Sequence, residues 1–591
     1  MDRTGIIVVS ICAILFVAWF VEEQKYQAQH QPPPQVATSP APAQTPAATP
    51  SAVSPTATGA APSFDTTAPE HLIGVTNADA IYTFTSRGGG LQSVKLTKYP
   101  DSVSLRWKKE MATNGVATLN THAPAPVLAI LGDASLVGDG NFTLTQIADG
   151  VRAEKVFPDG LVLAKEFHVS SNYLVYASVS LTNTSAKPLA LPAQEWVVGT
   201  ATPMGPDDNS MYPPGVLWYN GTNTPTDCPI SYFSTNTTTF FVFSRTPKTI
   251  FEAGAGNVFW AAAHNQFFAL IAMPKQPAAK IIAHSVNLPS LTLDNQIPTA
   301  PPMGIQTAFV YPAQTLATNS SVERQITFYA GPKEYRKLAL IGDQFNNNAD
   351  LVMQFGFFGF FAKGLLLAMN WLHDATRLGY GGVIILITVI IKMLFWPLTA
   401  ASTRSMKRMQ ALAPEVKVLK EKYKDDPQKF TAKQMELWKK NKVSPVSGCL
   451  PMLIQTPVFI GFFTMIRSAI ELRGAHFLWV TDLSKPDTLF MIPGLDFPFN
   501  LLPLLMGASM LWQSHLTPPA PGMDPAQAKM MRYMPLLFLV FLYSYPAGLA
   551  LYWTVNNLLT VMQTKLTKSK QPLTAATVTV SPLTPLSKKK K

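Results

Sequence analysis

Residues 383–397 read Val383-Ile-Ile-Leu-Ile-Thr-Val-Ile-Ile-Lys-Met-Leu-Phe-Trp-Pro397. Only Thr388 and Lys392 interrupt the apolar run, and at a spacing of four they share one face of a helix. With its flanks the stretch covers 378–398, long enough at about 1.5 Å per residue to cross a hydrocarbon core of about 30 Å. An ionisable group inside a span is costly, which marks Lys392 as a functional candidate. The competing reading is snorkelling: Trp396 lies four residues on, about 6 Å along the axis, within reach of the lysine stem.

Four further runs on the C-terminal side read as spans, at 449–467, 500–516, 532–546 and 548–566. At the start, residues 1–21 form an uncleaved signal anchor, since no small-x-small site follows Ala18. The expectation is therefore six spans, five of them in the core 378–567. Composition agrees: 14% of the 591 residues are charged, against about 25% in average globular chains. Three cysteines, two of them (Cys12 and Cys449) in apolar runs, leave no disulfide framework.

Charge sets the orientation. Residues 22–340 carry a net −2 and residues 341–591 a net +14, an asymmetry unlike that of a DNA-binding protein. The loop 400–448 holds twelve Lys/Arg against five acids, and the tail 568–591 has lysines and no acid. Lys/Arg excess marks the cytoplasmic side, so both termini lie inside and residues 63–340 outside. The apolar segment 355–372 would invert this topology as a span and bury Lys363. Within 341–377 it is read as a linker and an amphipathic helix lying on the outer surface.

Residues 22–62 are a tether rich in Pro, Ala and Thr. From 63 to 340 short alternating runs such as Leu161-Val-Leu-Ala-Lys-Glu-Phe-His-Val predict an all-β sandwich. In the last span Trp553, Asn556, Thr560 and Gln563 share a face, with Asn557 beside it; Gln455 adds a polar group to the second core span. Such residues also bind helices together by hydrogen bonds. With Lys392 and Thr388 they are expected to line a hydrated cavity in the inner half of the membrane. The loop 400–448 predicts two amphipathic helices around a Lys424-Asp-Asp-Pro-Gln turn. Met406, Met409 and Met435 there give adaptable apolar contact for clients. No P-loop, HExxH or CxxC spacing is present, so neither a cofactor nor a metal is expected, and no enzymatic activity.

Four segments carry a family likeness: Phe395-Trp-Pro-Leu-Thr, Gly448-Cys-Leu-Pro-Met-Leu-Ile-Gln-Thr-Pro-Val-Phe, Ile470-Glu-Leu-Arg and Pro546-Ala-Gly-Leu-Ala-Leu-Tyr-Trp-Thr-Val-Asn-Asn. In order and spacing the chain resembles the YidC/Oxa/Alb membrane insertases, in the Gram-negative form with a large periplasmic domain. The resemblance implies an α-helical polytopic core, a periplasmic β-supersandwich related to sugar-mutarotase folds, and a bacterial inner-membrane location. It also implies a groove open to the cytoplasm and lipid and closed outside. Lys392 matches the family's groove arginine, keeping the charge but losing bidentate pairing. Thr388 matches a client-contacting threonine, and Trp553 an aromatic that is often Tyr. Implied partners are nascent inner-membrane proteins, the Sec translocon, ribosomes and the lipid bilayer. Two other classes remain open on the residues alone: a transporter or channel, and a tethered periplasmic carbohydrate-active domain.

Overall fold

A computed structural model describes residues 64, 67–101, 115–202, 214–222, 224–233, 248–288, 303–441, 443, 450–495, 497–516, 521–523 and 525–567. The anchor 1–21, the tether 22–62 and the basic tail 568–591 fall outside these residues.

Thr, Val and aromatic alternation builds the N-terminal half as strands, because branched and aromatic side chains fit a half-buried pleated surface. A nine-stranded antiparallel sheet runs from Thr226–Pro229 through Gly215–Tyr219, Trp260–His264, Phe268–Pro274, Ser321–Pro332, Leu174–Asn183, Leu161–Val169 and Gly150–Val156 to Thr143–Ile147. A five-stranded sheet containing Gln194–Ala201 and Met303–Tyr311 packs on it. Gly199 leaves room for the Leu270 side chain of the facing sheet, whose Cδ2 would lie 3.3 Å from a Cβ there. Trp196 and Phe309 are fully buried between the layers, and Trp260 is fully buried on the opposite face of the nine-stranded sheet. A four-stranded sheet, Leu72–Thr76 to Val116–Leu119, adds Phe84, whose ring lies 5.0 Å from that of Phe167. Lys165 is also fully buried; its ammonium nitrogen donates to Gly88 O and Leu128 O at 2.7 and 2.8 Å.

Nine helices complete the described chain, a four-residue turn of helix at 134–137 aside: α1 (Tyr335–Phe345), α2 (Gly359–Thr376), α3 (Tyr380–Ala411), α4 (Ala413–Lys422), α5 (Pro427–Lys440), α6 (Leu450–Ser468), α7 (Leu501–Leu516), α8 (Pro525–Leu542) and α9 (Ala547–Leu566). α9 packs against α3 and α7, α7 against α8, and α2 against α6. Among the described residues α3 alone is long and apolar enough to cross a membrane by itself, so helix length and composition do not carry a count of six spans.

Several boundaries differ from expectation. α1 runs across the expected domain boundary at 340. α3 continues unbroken past 398 to Ala411 with Pro397 inside it. The helix expected at 532–546 runs from Pro525 to Leu542. Proline is tolerated at a first helical position, whereas the residue before Pro546 is pushed away from helical ψ. α2 buries Ala362, Leu366 and Met369 and exposes Phe360 and Trp371. Lys363 stays on its rim, with its nitrogen 4.6 Å from the centre of the Tyr335 ring and 4.0 Å from Asp350.

The β domain is bonded directly to the helices. Trp260 donates to Asn347 O at 2.9 Å, Gln266 to Arg467 O at 3.0 Å, and Arg473 to Asp101 O at 2.9 Å.

Candidate functional site

One face of α3 presents Thr388, Lys392, Phe395 and Thr399 at spacings of four, three and four, a single stripe on a helix. This stripe, with Ile391, forms one wall of a recess of about 370 Å³ including its open mouth; Gln455 and Val458 of α6 and Tyr552 and Asn556 of α9 complete the lining. Lys392 is 8% exposed, and its ammonium has no hydrogen-bond or ion-pair partner among the described residues. It is the one ionisable side chain of the lining apart from the Tyr552 phenol. Thr388 donates to Ile384 O at 2.6 Å, so its oxygen lone pairs remain to accept. Pro457 inside α6 lacks an N–H, which frees a carbonyl one turn back, beside Gln455.

The end of these helices nearest the β domain is capped. Ala547 and Gly548 at the start of α9 donate to Lys485 O and Leu483 O at 2.8 and 2.9 Å. Asp487 accepts from Leu502 N at 2.7 Å and from the Trp479 indole at 3.0 Å. The Phe477 ring packs on Gly381 so closely that a Cβ there would lie 2.3 Å away. Orphan N–H groups at two helix starts are thus satisfied by the loop that covers them. At the opposite end Lys407 donates to Thr564 O and Thr567 O at 2.8 and 2.7 Å, neutralising the carbonyl end of α9.

Of the residues singled out in the sequence, Lys392, Thr388, Gln455 and Asn556 come together. Asn557 does not: one residue on, about 100° around the helix, it donates to Ser509 of α7 at 3.0 Å. Gln563 likewise ties helices together, donating to Thr399 Oγ1 at 2.6 Å and Trp396 O at 3.2 Å. Thr560 donates to Asn556 O at 2.7 Å and lies outside the lining. Trp553 is wedged between α6 and α8, its ring 4.5 Å from Phe459 and 5.9 Å from Phe538. Met409, in the last turn of α3, is buried with Leu412, with Trp438 of α5 and with Val443, so it packs on the helical hairpin α4–α5 instead of facing clients. Met406 is half-buried and Met435 exposed. Sequence reading missed Ile391, Phe395, Thr399, Val458 and Tyr552. The i, i+4, i+7, i+11 spacing from Thr388 was a readable signal for Phe395 and Thr399.

Two family models match the chain: YidC periplasmic domain over residues 72–368, and 60Kd inner membrane protein over residues 371–574. A membrane protein insertase YidC of Janthinobacterium sp. (strain Marseille) is 40% identical over 257 residues, 43% of this chain and 44% of that protein. The matched stretch thus spans less than half of that relative. A crystal structure of active YidC insertase, first transmembrane domain resolved, aligns over 84% of this chain and 93% of that one at 18% identity and a TM-score of 0.32. A galactose mutarotase-like protein from Lactobacillus casei aligns over 44% of this chain and 100% of its own at 12% identity and a TM-score of 0.27. Both scores are low. The periplasmic-domain model alone covers just over half of the 591 residues, and this chain belongs to the YidC family.

Proposed function

We propose that this chain is a membrane protein insertase and chaperone of the bacterial inner membrane, with both termini cytoplasmic and the β domain periplasmic. The observation that carries the reading is the unpaired Lys392 ammonium in a polar-lined recess between α3, α6 and α9. Relatives named for insertion support it.

A client's apolar segment first meets the helical hairpin, where Met435 is exposed. Its polar outer flank enters the recess, and Lys392 attracts acidic residues there, lowering the cost of removing them from water. Thr388, Gln455 and Asn556 supply hydrogen-bond partners to the flank. The apolar segment leaves past Phe459, Trp553 and Phe538 between α6 and α8. Burial in lipid, at about 25 cal/mol per Å², stabilises the inserted state without nucleotide. α7 has 16 residues, about 24 Å of helix against a core of about 30 Å, which thins the bilayer locally. The membrane potential favours outward movement of an acidic flank by about 2.3 kcal/mol per charge per 100 mV. The Sec translocon and the ribosome are partners in this reading, the latter drawn by the basic tail.

Insertion into reconstituted vesicles tests the role of Lys392. For a client with an acidic outer flank, Lys392→Glu is expected to lower insertion more than tenfold and Lys392→Met about tenfold, as loss of about 1.4 kcal/mol requires; Lys392→Arg should stay near wild type. A client with a neutral flank should distinguish the variants little. Equal insertion of the acidic client by all three overturns the proposal.

A further inference from the structure

Between α6 and α7 lies an antiparallel hairpin, Thr488–Ile492 paired with Phe497–Asn500, that the recess does not use. Residues 488–500 read TLFMIPGLDFPFN, with Asp496 as the one charge. Leu495 is 73% exposed, and Phe490 and Phe497 are about half exposed. Ring contacts and hydrogen bonds hold the ribbon to the end of α8. Phe490 stacks on Phe499 at 4.9 Å and Phe497 on Tyr543 at 5.1 Å. Tyr543 donates to Pro498 O at 2.7 Å, and the Asn500 amide donates to Tyr543 O at 2.9 Å. Tyr543 directly follows α8, whose Val540 and Phe541 are also strongly exposed, so bare apolar surface continues from α8 onto the ribbon.

A two-stranded ribbon keeps unpaired N–H and C=O groups along its edges, which bars it from the hydrocarbon core. Its aromatic side chains and near absence of charge disfavour open water. Both constraints are met at the headgroup level, where aromatic residues of membrane proteins collect. We propose that this hairpin is a lipid anchor: it lies on the outer leaflet with Phe490, Leu495 and Phe497 in the headgroup–acyl boundary, and through Tyr543 it fixes the depth of the outer end of α8. The inference rests on the reading of α6 to α8 as membrane helices.

The test is nitroxide depth measurement on the full chain in vesicles of phosphatidylethanolamine and phosphatidylglycerol. Cys12, Cys228 and Cys449 are replaced by serine or alanine. Single labels are placed through Leu495→Cys and Phe490→Cys, with Val540→Cys as a span control and Val156→Cys, on an exposed strand of the β domain, as a water control. Collision with oxygen and with a water-soluble nickel chelate reports depth. Labels at Leu495 and Phe490 are expected about 5–10 Å below the headgroup boundary, shallower than Val540 and shielded from nickel relative to Val156. Nickel access at Leu495 equal to that at Val156, with Val540 shielded, overturns the anchor and leaves the membrane reading intact. Shielding of Leu495 from both reagents means protein covers the hairpin and also overturns it. Nickel access at Val540 overturns the membrane reading itself, and the anchor with it.

Discussion

Asn556 and Asn557 are adjacent and chemically identical, yet the first lines the recess and the second bonds Ser509 of α7. Their substitutions should separate accordingly. Asn557→Leu removes the donor to Ser509 Oγ, which keeps its own bond to Met506 O, and is expected to lower thermal stability by about 0.6–1.7 kcal/mol, the range of hydrogen bonds between membrane helices. Its insertion activity should stay near wild type. Asn556→Leu should leave stability within about 0.5 kcal/mol and reduce insertion of clients with polar flanks. Thermal unfolding in detergent, paired with insertion into vesicles, checks both. The mutual spacing of these residues was readable in the sequence; which of the two meets a neighbouring helix was not, because periodicity defines a face and only packing assigns its partner.

Helix amphipathicity misled in the hairpin for the same reason. The seam through Met409, Leu412 and Val416 has the right period, and the structure buries it, closing Met409 and Leu412 against Trp438 and Val443. Met409→Ala is therefore expected to loosen the hairpin by about 2–5 kcal/mol, seen as faster hydrogen exchange and proteolysis across 413–440. Met435→Ala should leave that protection unchanged and weaken photocrosslinking to an apolar nascent segment. The strands, by contrast, were legible: the run quoted for 161–169 coincides with Leu161–Val169. Period-two alternation is a local property that each strand carries by itself.

The whole molecule is joined where the turn after Trp260–His264 meets the end of α6. Lys333 lies in this joint, buried, with its amine 3.1 Å from His264 Nδ1. His264 in turn has Nε2 3.8 Å from Asp227. Burial pulls the Lys333 ammonium down from 10.5 to about 7, against the opposing pull of Asp227 and aided by Arg467. Burial, and then Lys333, also hold the imidazole of His264 below its usual 6.5. Between about pH 7 and 10.5 the unfolded chain therefore binds a proton at residue 333 that the folded chain does not. Stability should rise with pH across that window and carry the full penalty below it. Fully buried Lys165, also depressed by burial, adds a dependence of the same sign. Lys333→Met is expected to flatten the rise in thermal stability between pH 7 and 10 without abolishing it, as calorimetry in detergent would record.

Composition, apolar run length and the charge imbalance were enough to expect membrane helices joined to a neutral β domain and a single cation on a polar helix face. These are properties of residues near one another in the chain, and they survive any packing. Tertiary structure alone decided that Lys392 shares its recess with Gln455 and Asn556, that Gln563 is tied to Thr399, and that the β domain grips α6. Such contacts join residues tens to hundreds of positions apart, and their geometry follows from how whole faces fit together, a quantity that no local pattern encodes.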